Sequence, residues 1–574
     1  MASVHQRLRA RKACIPCRHR KRKCDAGEPC GMCTAYGYDC EYPRDDGPAK
    51  TARDAKVTRR LTAQAAASAI SPSEAASSPG GKGMAAAKTW TMAGPTHEQE
   101  TGMLDAQRAR FVSASSVIAF PRVLDFELGS KRPHVLHSFG YNMGVRPEEK
   151  STHSGHLANL VTEEDMESFS AVFHSVLGSC IDFIHPETYR RRSQQYYRDR
   201  EEDAIFGTVV AGVVALGSFF SYKNGHPRET DIAHFAKSAL EDPALTRRPT
   251  PEQIIAWALR TIYLRSTTRP NNAWMASCTM MHLMEAQGLH RDENIKRLVH
   301  VPSIAAAGLD ENRIRTVFWT AWSLHIILSY EYGRSAVHYP GVTCADFSLD
   351  SGESDAHRLV RLAQIIPCPN SPFRLQITPQ DPKDDLCHRI RALDRVLNYH
   401  SFLIFTKADI MFCFYRRLYQ FRAKLGDDVV QILIKAGNES VKAATAVAQR
   451  GLPFWNAVGS VFQYCCVLIA LDTPAALSHI PSAIQGLQDI VCAFDTRLTR
   501  EALSTVQNLL QDRIARKRQE LEYLEAADVK RPALSTSPES VQPDHDTFLD
   551  LDLLAQTGDP PEGFLSDSFW QWLR

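Results

Sequence analysis

Acidic residues are missing from the start of this 574-residue chain, and basic residues are nearly missing from its end. Between Met1 and Cys24 there are nine Lys/Arg and no Asp/Glu, whereas Ala533 to Arg574 holds eight Asp/Glu and a single Arg. The formal net charge of +2 therefore conceals a basic head suited to a polyanion and an acidic tail suited to a protein surface. Also lacking is an uninterrupted apolar run of the ~20 residues a bilayer span needs. The most apolar stretch, Ile205 to Phe220, is shorter and carries Gly207, Gly212 and Gly217. The longer uncharged stretch, Leu452 to Leu471, is broken by Pro453, Asn456, Ser460 and Gln463. Both read as core segments, and no membrane partner is expected. The first twenty residues are basic and hold no apolar stretch, so no secretory signal is read there and the chain is expected to stay inside the cell. Absent too are a Gly-x-Ser-x-Gly elbow, a phosphate-cradling Gly-rich loop ending in Lys-Ser/Thr and a His-Glu-x-x-His pair, which argues against an enzyme. His282 and His290 sit eight apart near Glu285 and read as packing or capping residues rather than metal ligands.

What is present sorts along the chain. With 44% hydrophobic and 23% charged residues there is enough apolar material for a large core. A basic arm, 1–13, carries Arg7, Arg9, Arg11 and Lys12 and precedes a cysteine-rich module, 14–43. From 44 to 107 the composition turns to Ala, Ser, Gly and Pro with few large apolar residues, which predicts a disordered linker. A short helix from Val57 to Ile70 fits the sequence there. Its apolar positions Val57, Leu61 and Ile70 sustain no heptad, so a coiled coil directly after the module is not predicted and homodimerisation stays open. From 108 to 530 apolar residues recur at three- and four-residue spacing, predicting a large all-α domain. Ile254, Trp257, Ile262 and Leu264 mark one helix, Met281, Leu283 and Met284 a second, and Val317, Phe318, Trp322, Leu324, Ile327 and Leu328 a third. A late stretch with Leu509, Leu510, Ile514, Leu521 and Leu524 reads as a final core helix or a short coiled coil. Cys465 and Cys466 lie among apolar residues and read as packing. The tail, 531–574, interleaves Phe548, Leu551, Leu554, Phe564, Phe569, Trp570 and Trp572 with acids, the pattern of a solvated segment that lays itself into a partner's groove; the alternative is a helix docked on the protein's own core.

The decisive pattern is Cys14-x2-Cys17-x6-Cys24-x5-Cys30-x2-Cys33-x6-Cys40, two near-identical halves. A Cys-x2-Cys pair reaches one tetrahedral Zn2+, yet six thiolates do not make two independent four-ligand sites. Sharing one thiolate from each half supplies the missing positions, which predicts two Zn2+ held by six cysteine thiolates. A single zinc with two spare cysteines and a disulfide module are the alternatives. Between Cys17 and Cys24 lie Arg18, Arg20, Lys21, Arg22 and Lys23, a dense cationic turn suited to a nucleic-acid backbone or a nuclear import signal. Few apolar residues stand between Cys14 and Cys40, so metal binding and folding of the module are expected to be coupled.

The segment Cys17-Arg18-His19-Arg20-Lys21-Arg22-Lys23-Cys24-Asp25 within Cys14–Cys40 resembles the fungal binuclear zinc cluster (Zn2Cys6) transcription factors. That resemblance implies that Cys14 and Cys30 bridge the metals, Cys17 and Cys24 complete one site, Cys33 and Cys40 the other, and Pro29 turns the chain between halves. It implies that Lys21, beside Arg20, reads the guanines of a CGG-like half-site in duplex DNA. Farther on, Ala119-Phe120-Pro121-Arg122, Leu136 to Asn142, Ala286 to Asp292, and Phe318-Trp319 through Tyr332-Gly333-Arg334 are similar to segments of the family's helical regulatory domain, with Ser335 where the family usually has proline. The expected protein is a nuclear, zinc-dependent regulator of RNA polymerase II genes. An activator of a pathway such as a secondary-metabolite gene cluster is the leading reading, with the acidic tail contacting coactivator or transcription machinery. A repressor or nutrient-use regulator of the same architecture, and a zinc-module scaffold or RNA-binding protein, are the alternatives.

Overall fold

The structure, a computed structural model, describes residues 13–15, 17, 24, 27, 30, 33 and 40–42 near the N-terminus, and 102–105, 110–113, 116, 120–129, 150–199, 203–246, 248–347, 354–375 and 381–528 beyond. Arg18 to Lys23, the Val57–Ile70 stretch, the linker up to 101, Leu136 to Asn142 and the acidic tail lie outside the described residues. The chain divides into two compact units, Met1–Ala86 and Ala87–Arg574.

The larger unit opens with an antiparallel hairpin, β1 (Gly102–Asp105) and β2 (Arg110–Ser113). Its helices begin with α1 (Phe120–Glu127), α2 (Glu163–Val176), α3 (Pro186–Asp199), α4 (Ala204–Phe220), α5 (Glu229–Leu240) and α6 (Pro251–Thr267). They continue through α7 (Pro270–Gln287), α8 (Asp292–Leu298), α9 (Pro302–Ala306), α10 (Glu311–Glu331), α11 (Asp355–Ile365) and α12 (Pro382–Asp394). The last are α13 (Ser401–Gln420), α14 (Asp427–Gln449), α15 (Trp455–Leu471), α16 (Pro474–Leu477), α17 (Ile480–Phe494) and α18 (Arg497–Asp528).

Local sequence sets many of these boundaries. Thr162, Asp203, Asp310, Ser354 and Asp381 each accept a hydrogen bond from a first-turn backbone N–H, satisfying donors a helix start leaves orphaned. At α6, Thr250 and Gln253 cap each other reciprocally, with Pro251 at the first helical position. α7 ends on Gly288 at φ 71°, a left-handed conformation that glycine adopts without a Cβ clash.

α2, α5 and α6 pack on α4, and α7 packs on α6 and α10. In the second half α13, α14, α15 and α17 pack together, while α18 lies on α15 and α17. α10 and α11 contact α13, so one apolar cluster runs from Leu104 to Val506. The three helices predicted from periodicity are α6, α7 and α10, where Ile254, Ile262, Met281, Met284, Val317, Phe318 and Trp322 are buried. The apolar run Ile205 to Phe220 is α4, almost wholly buried, and among the described residues no single helix is long and apolar enough to cross a membrane. Cys465 is buried and Cys466 half-buried, and burial pushes their thiols up to about 12 and about 11.

Two elements differ from the sequence reading. The linker expected through 107 and the helical start at 108 give way to the hairpin: Leu104 is buried in the main cluster and Phe111 packs edge-on to His290 at 5.6 Å. Four-residue strands leave too little alternation to register against a helical background. The last helix is core only in its first half: Val506 is fully buried, but Leu521 and Leu524 are 54% and 69% exposed.

Close helix contacts explain the glycines of α4. A Cβ on Gly207 would meet the Tyr196 hydroxyl at 2.6 Å, one on Gly212 would meet Leu259 Cβ at 2.9 Å, and one on Gly217 would collide with the Phe169 carbonyl of α2. Backbone cannot step aside as a side chain does. Gly217→Ala should therefore lower the stability of the helical unit by roughly 1–3 kcal/mol. Gly459→Ala in α15, where a Cβ meets nothing within 4 Å, should be neutral or stabilising by up to ~1 kcal/mol. Chemical denaturation midpoints of the two variants compare them directly.

Candidate metal centre and DNA interface

In the N-terminal unit all six cysteines are free and their sulfurs converge. Cys14, Cys17, Cys30 and Cys33 are buried, while Cys24 and Cys40 are half-buried. The Sγ atoms of Cys14, Cys17, Cys24 and Cys30 all lie within 4.8 Å of one another, and so do those of Cys14, Cys30, Cys33 and Cys40. Cys14 and Cys30 belong to both groups. The Sγ–Sγ separations are 3.6 Å for Cys14–Cys30 and Cys14–Cys33, 3.7 Å for Cys17–Cys30 and 3.8 Å for Cys14–Cys24. A disulfide requires ~2.05 Å, which excludes that alternative for these pairs. Zn–S bonds of ~2.3 Å in a tetrahedron put sulfurs ~3.8 Å apart, and the observed spacing fits that donor set.

Apart from the six cysteines, the packed apolar side chains described in this unit reduce to Tyr42. Its hydroxyl donates to the Gly27 carbonyl at 2.9 Å and lies 3.4 Å from Cys24 Sγ. In the sequence Tyr42 carries no signal beyond its place two residues after the sixth cysteine. The Ile15 N–H donates to the Glu41 carbonyl at 2.7 Å, tying the first cysteine turn to the end of the module. The Cys30 N–H donates to Cys40 Sγ at 3.2 Å and the Cys33 N–H to Cys30 Sγ at 3.4 Å. The latter amide is the main reason the Cys30 thiol falls to about 6, while burial pushes Cys14, Cys17 and Cys33 up. Thiolates this close repel one another, so holding them deprotonated together takes a cation among them.

Comparison with known proteins gives this geometry its context. Residues 12–48 match the fungal Zn(2)-Cys(6) binuclear cluster domain, and residues 166–351 match the fungal specific transcription factor domain. Protein RDR1 of Saccharomyces cerevisiae is 39% identical over 93% of this chain and 95% of its own. The chain belongs to the fungal Zn2Cys6 transcription factor family. Transcription factor kojR of Aspergillus oryzae is 29% identical over 99% of this chain and 94% of its own. A probable transcriptional repressor of Schizosaccharomyces pombe, C1348.12, is 23% identical over 77% and 92%. No solved structure matches the chain. As a member of the family the protein is a DNA-binding transcription regulator whose module carries two Zn2+ on six cysteine thiolates.

The basic residues expected to touch DNA, Arg18, Arg20, Lys21, Arg22 and Lys23, lie between the described Cys17 and Cys24 but outside the described residues themselves. The middle motif Ala286–Asp292 has a structural role. Gly288 caps α7, and the His290 carbonyl accepts from the N–H groups of Thr343 and Cys344 at 2.9 and 3.0 Å. Asp292 takes two bonds from the Arg315 guanidinium at 2.7 and 3.1 Å and one from the Ala345 N–H at 3.2 Å. Burial alone would raise the Asp292 carboxyl, but these donors hold it below the ordinary value. His290 is stacked on Tyr339 at 5.1 Å and is a packing residue, whereas His282 is exposed beside Glu285 at 3.5 Å and neither packs nor caps. Where the family has proline, the Ser335 carbonyl accepts from Trp274 Nε1 at 3.2 Å.

Tyr42→Phe keeps the ring and removes the hydroxyl beside Cys24. Loss of such a supporting group typically costs ~10–100-fold in metal affinity. The variant should surrender zinc to a chromophoric chelator at correspondingly lower chelator concentration, whereas unchanged retention would assign Tyr42 to packing alone.

Proposed function

We propose that the protein is a nuclear, pathway-specific activator that recognises CGG-like half-sites in duplex DNA. The observation that carries this reading is the pair of four-sulfur groups sharing Cys14 and Cys30, because the basic run Arg18 to Lys23 lies in sequence between two of their members, Cys17 and Cys24. In this reading Cys14 and Cys30 bridge, Cys17 and Cys24 complete one zinc site, and Cys33 and Cys40 complete the other. Zinc supplies the cross-links that fix the module; the protein's own side chains do the recognition. Arg18, Arg20, Arg22 and Lys23 neutralise phosphates, which supplies affinity, and Lys21 donates to guanine O6 and N7, which supplies sequence. The module spans 14–43, and a linker joins it to a helical regulatory domain that ends near 530. The protein acts by binding rather than by catalysis.

Site selection from random duplexes with the zinc-loaded full chain tests the readout. Enrichment of a CGG-type half-site, lost in Lys21→Ala while salt-sensitive binding persists, is the expected result. Sequence-indifferent binding by the parent chain would sink it and favour the scaffold or RNA-binding alternative.

The eight acids and the interleaved aromatics of the tail support activation. The name of the fission-yeast relative favours repression as the second reading. Deleting 531–574 separates them in a reporter assay: lost expression is expected, and increased expression would mean the repressor reading is correct.

A further inference from the structure

A solvent cavity in the helical unit lies far along the chain from the zinc module, between α17 and the second half of α18. It is a groove of about 450 Å³. Ile480, Leu510, Ile514 and Leu521 form its apolar floor. Arg513, Lys517 and Arg518 form its rim. Every residue of α18 from Ala515 to Ala527 is exposed, so this helix projects more than three turns with apolar side chains in water. Leu510, Ile514, Leu521 and Leu524 lie on one stripe at helical spacing.

The rim has cation to spare. Arg513 and Lys517 share the carboxylate of Asp472, at 3.3 and 2.8 Å, and Lys517 also meets Glu520 at 3.4 Å. Arg518 makes no ion pair among the described residues. A basic-rimmed apolar groove selects an occupant that is apolar and acidic together. A second copy's α18 would bring the same basic cluster, Arg513 to Arg518, toward this one. The chain beyond α18 has the opposite character, with Asp550 and Asp552 set among Phe548, Leu549, Leu551, Leu553 and Leu554.

The tether also suits it. From Asp528 to Phe548 the chain spans up to ~65 Å if extended, at ~3.3 Å per residue. The run back along α18 to Leu510 is only ~27 Å, at ~1.5 Å per residue. A tether of this length presents its end at roughly millimolar effective concentration, so a weak contact is enough to fill the groove.

We infer that the groove between α17 and α18 is the docking site of the protein's own acidic-hydrophobic tail, around Phe548 to Leu554. The contact withholds the tail from partner proteins, and a partner that binds the tail more tightly releases it. This rests on the reading of the tail as an activation segment, which it deepens by giving that segment a resting place.

The full zinc-loaded chain, carrying a photo-crosslinking amino acid in place of Leu521, tests the docking. Leu521 is exposed, so the replacement leaves the core intact. Cross-links within one chain to peptides from 544–573, independent of protein concentration, are the expected result. Concentration-dependent links to α18 of a second chain, or no link to the tail, would overturn it. In cells, Arg518→Glu with Leu521→Asp should raise reporter output several-fold at unchanged promoter occupancy, and unchanged output would overturn the withholding role. The two readings fail separately. If the tail cross-links but its deletion leaves expression intact, the activation reading falls and the docking stands; if deletion abolishes expression and no cross-link forms, the reverse holds.

Discussion

Six sulfurs drawn within a few ångströms of one another are the constraint on which DNA recognition depends. As thiols they give a small, weakly held cluster. As thiolates they repel, and only shared divalent cations convert that repulsion into cohesion. The described residues offer no apolar substitute, since Tyr42 is the one ring against the sulfurs. The contrast with the helical unit is sharp: there a continuous apolar cluster from Leu104 to Val506 does the work that metal does in the module. The protein therefore uses two kinds of stabilisation, coordination where the unit is small and burial where it is large.

Coordination also fixes direction. Because Cys14 and Cys30 belong to both sulfur groups, neither half of the module closes without the other, and the Ile15–Glu41 bond closes the ends. The basic residues between Cys17 and Cys24 are flanked in sequence by two members of one sulfur group. The flanking matters because a flexible run of five cations binds any polyanion, and base readout needs a side chain held in place.

The zinc module was legible in the sequence because coordination demands fixed residue types at fixed spacings, and no other residue substitutes for a thiolate at Cys14 or Cys30. The helices α6, α7 and α10 were legible for a different reason, since burying one face imposes a period on the apolar residues. Where neither demand operates, the sequence was silent. Gly102–Asp105 and Arg110–Ser113 are too short to show alternation, and their place in the core follows from Leu104 and Phe111 meeting residues nearly two hundred positions later, such as His290. The support that Tyr42 gives Cys24 is likewise a tertiary fact, because a tyrosine two residues past a cysteine has no pattern of its own. The stripe from Leu510 to Leu524 carries a core helix's periodicity, yet only neighbours could reveal that the core stops after its first members. The Ala286–Asp292 motif was recognised as a resemblance; the Asp292–Arg315 pair and the His290 carbonyl explain it as a clasp between α8, α10 and the segment after Tyr339.

Electrostatics then limits where each end of the chain can rest. The head carries nine cations and the tail eight acids against one base, so the +2 total describes neither. A tail of that sign is repelled by the phosphates of DNA, and it gains nothing from an apolar surface ringed by acids. Within the helical unit the rim formed by Arg513, Lys517 and Arg518 meets both requirements, an apolar floor for aromatic and leucine side chains and a positive border for the carboxylates between them. Its attraction is the difference between two solvated states, since Asp472 already engages two of the three cations. A contact balanced in that way is weak enough to yield to a partner and, with the tether holding the tail nearby, persistent enough to matter until one arrives.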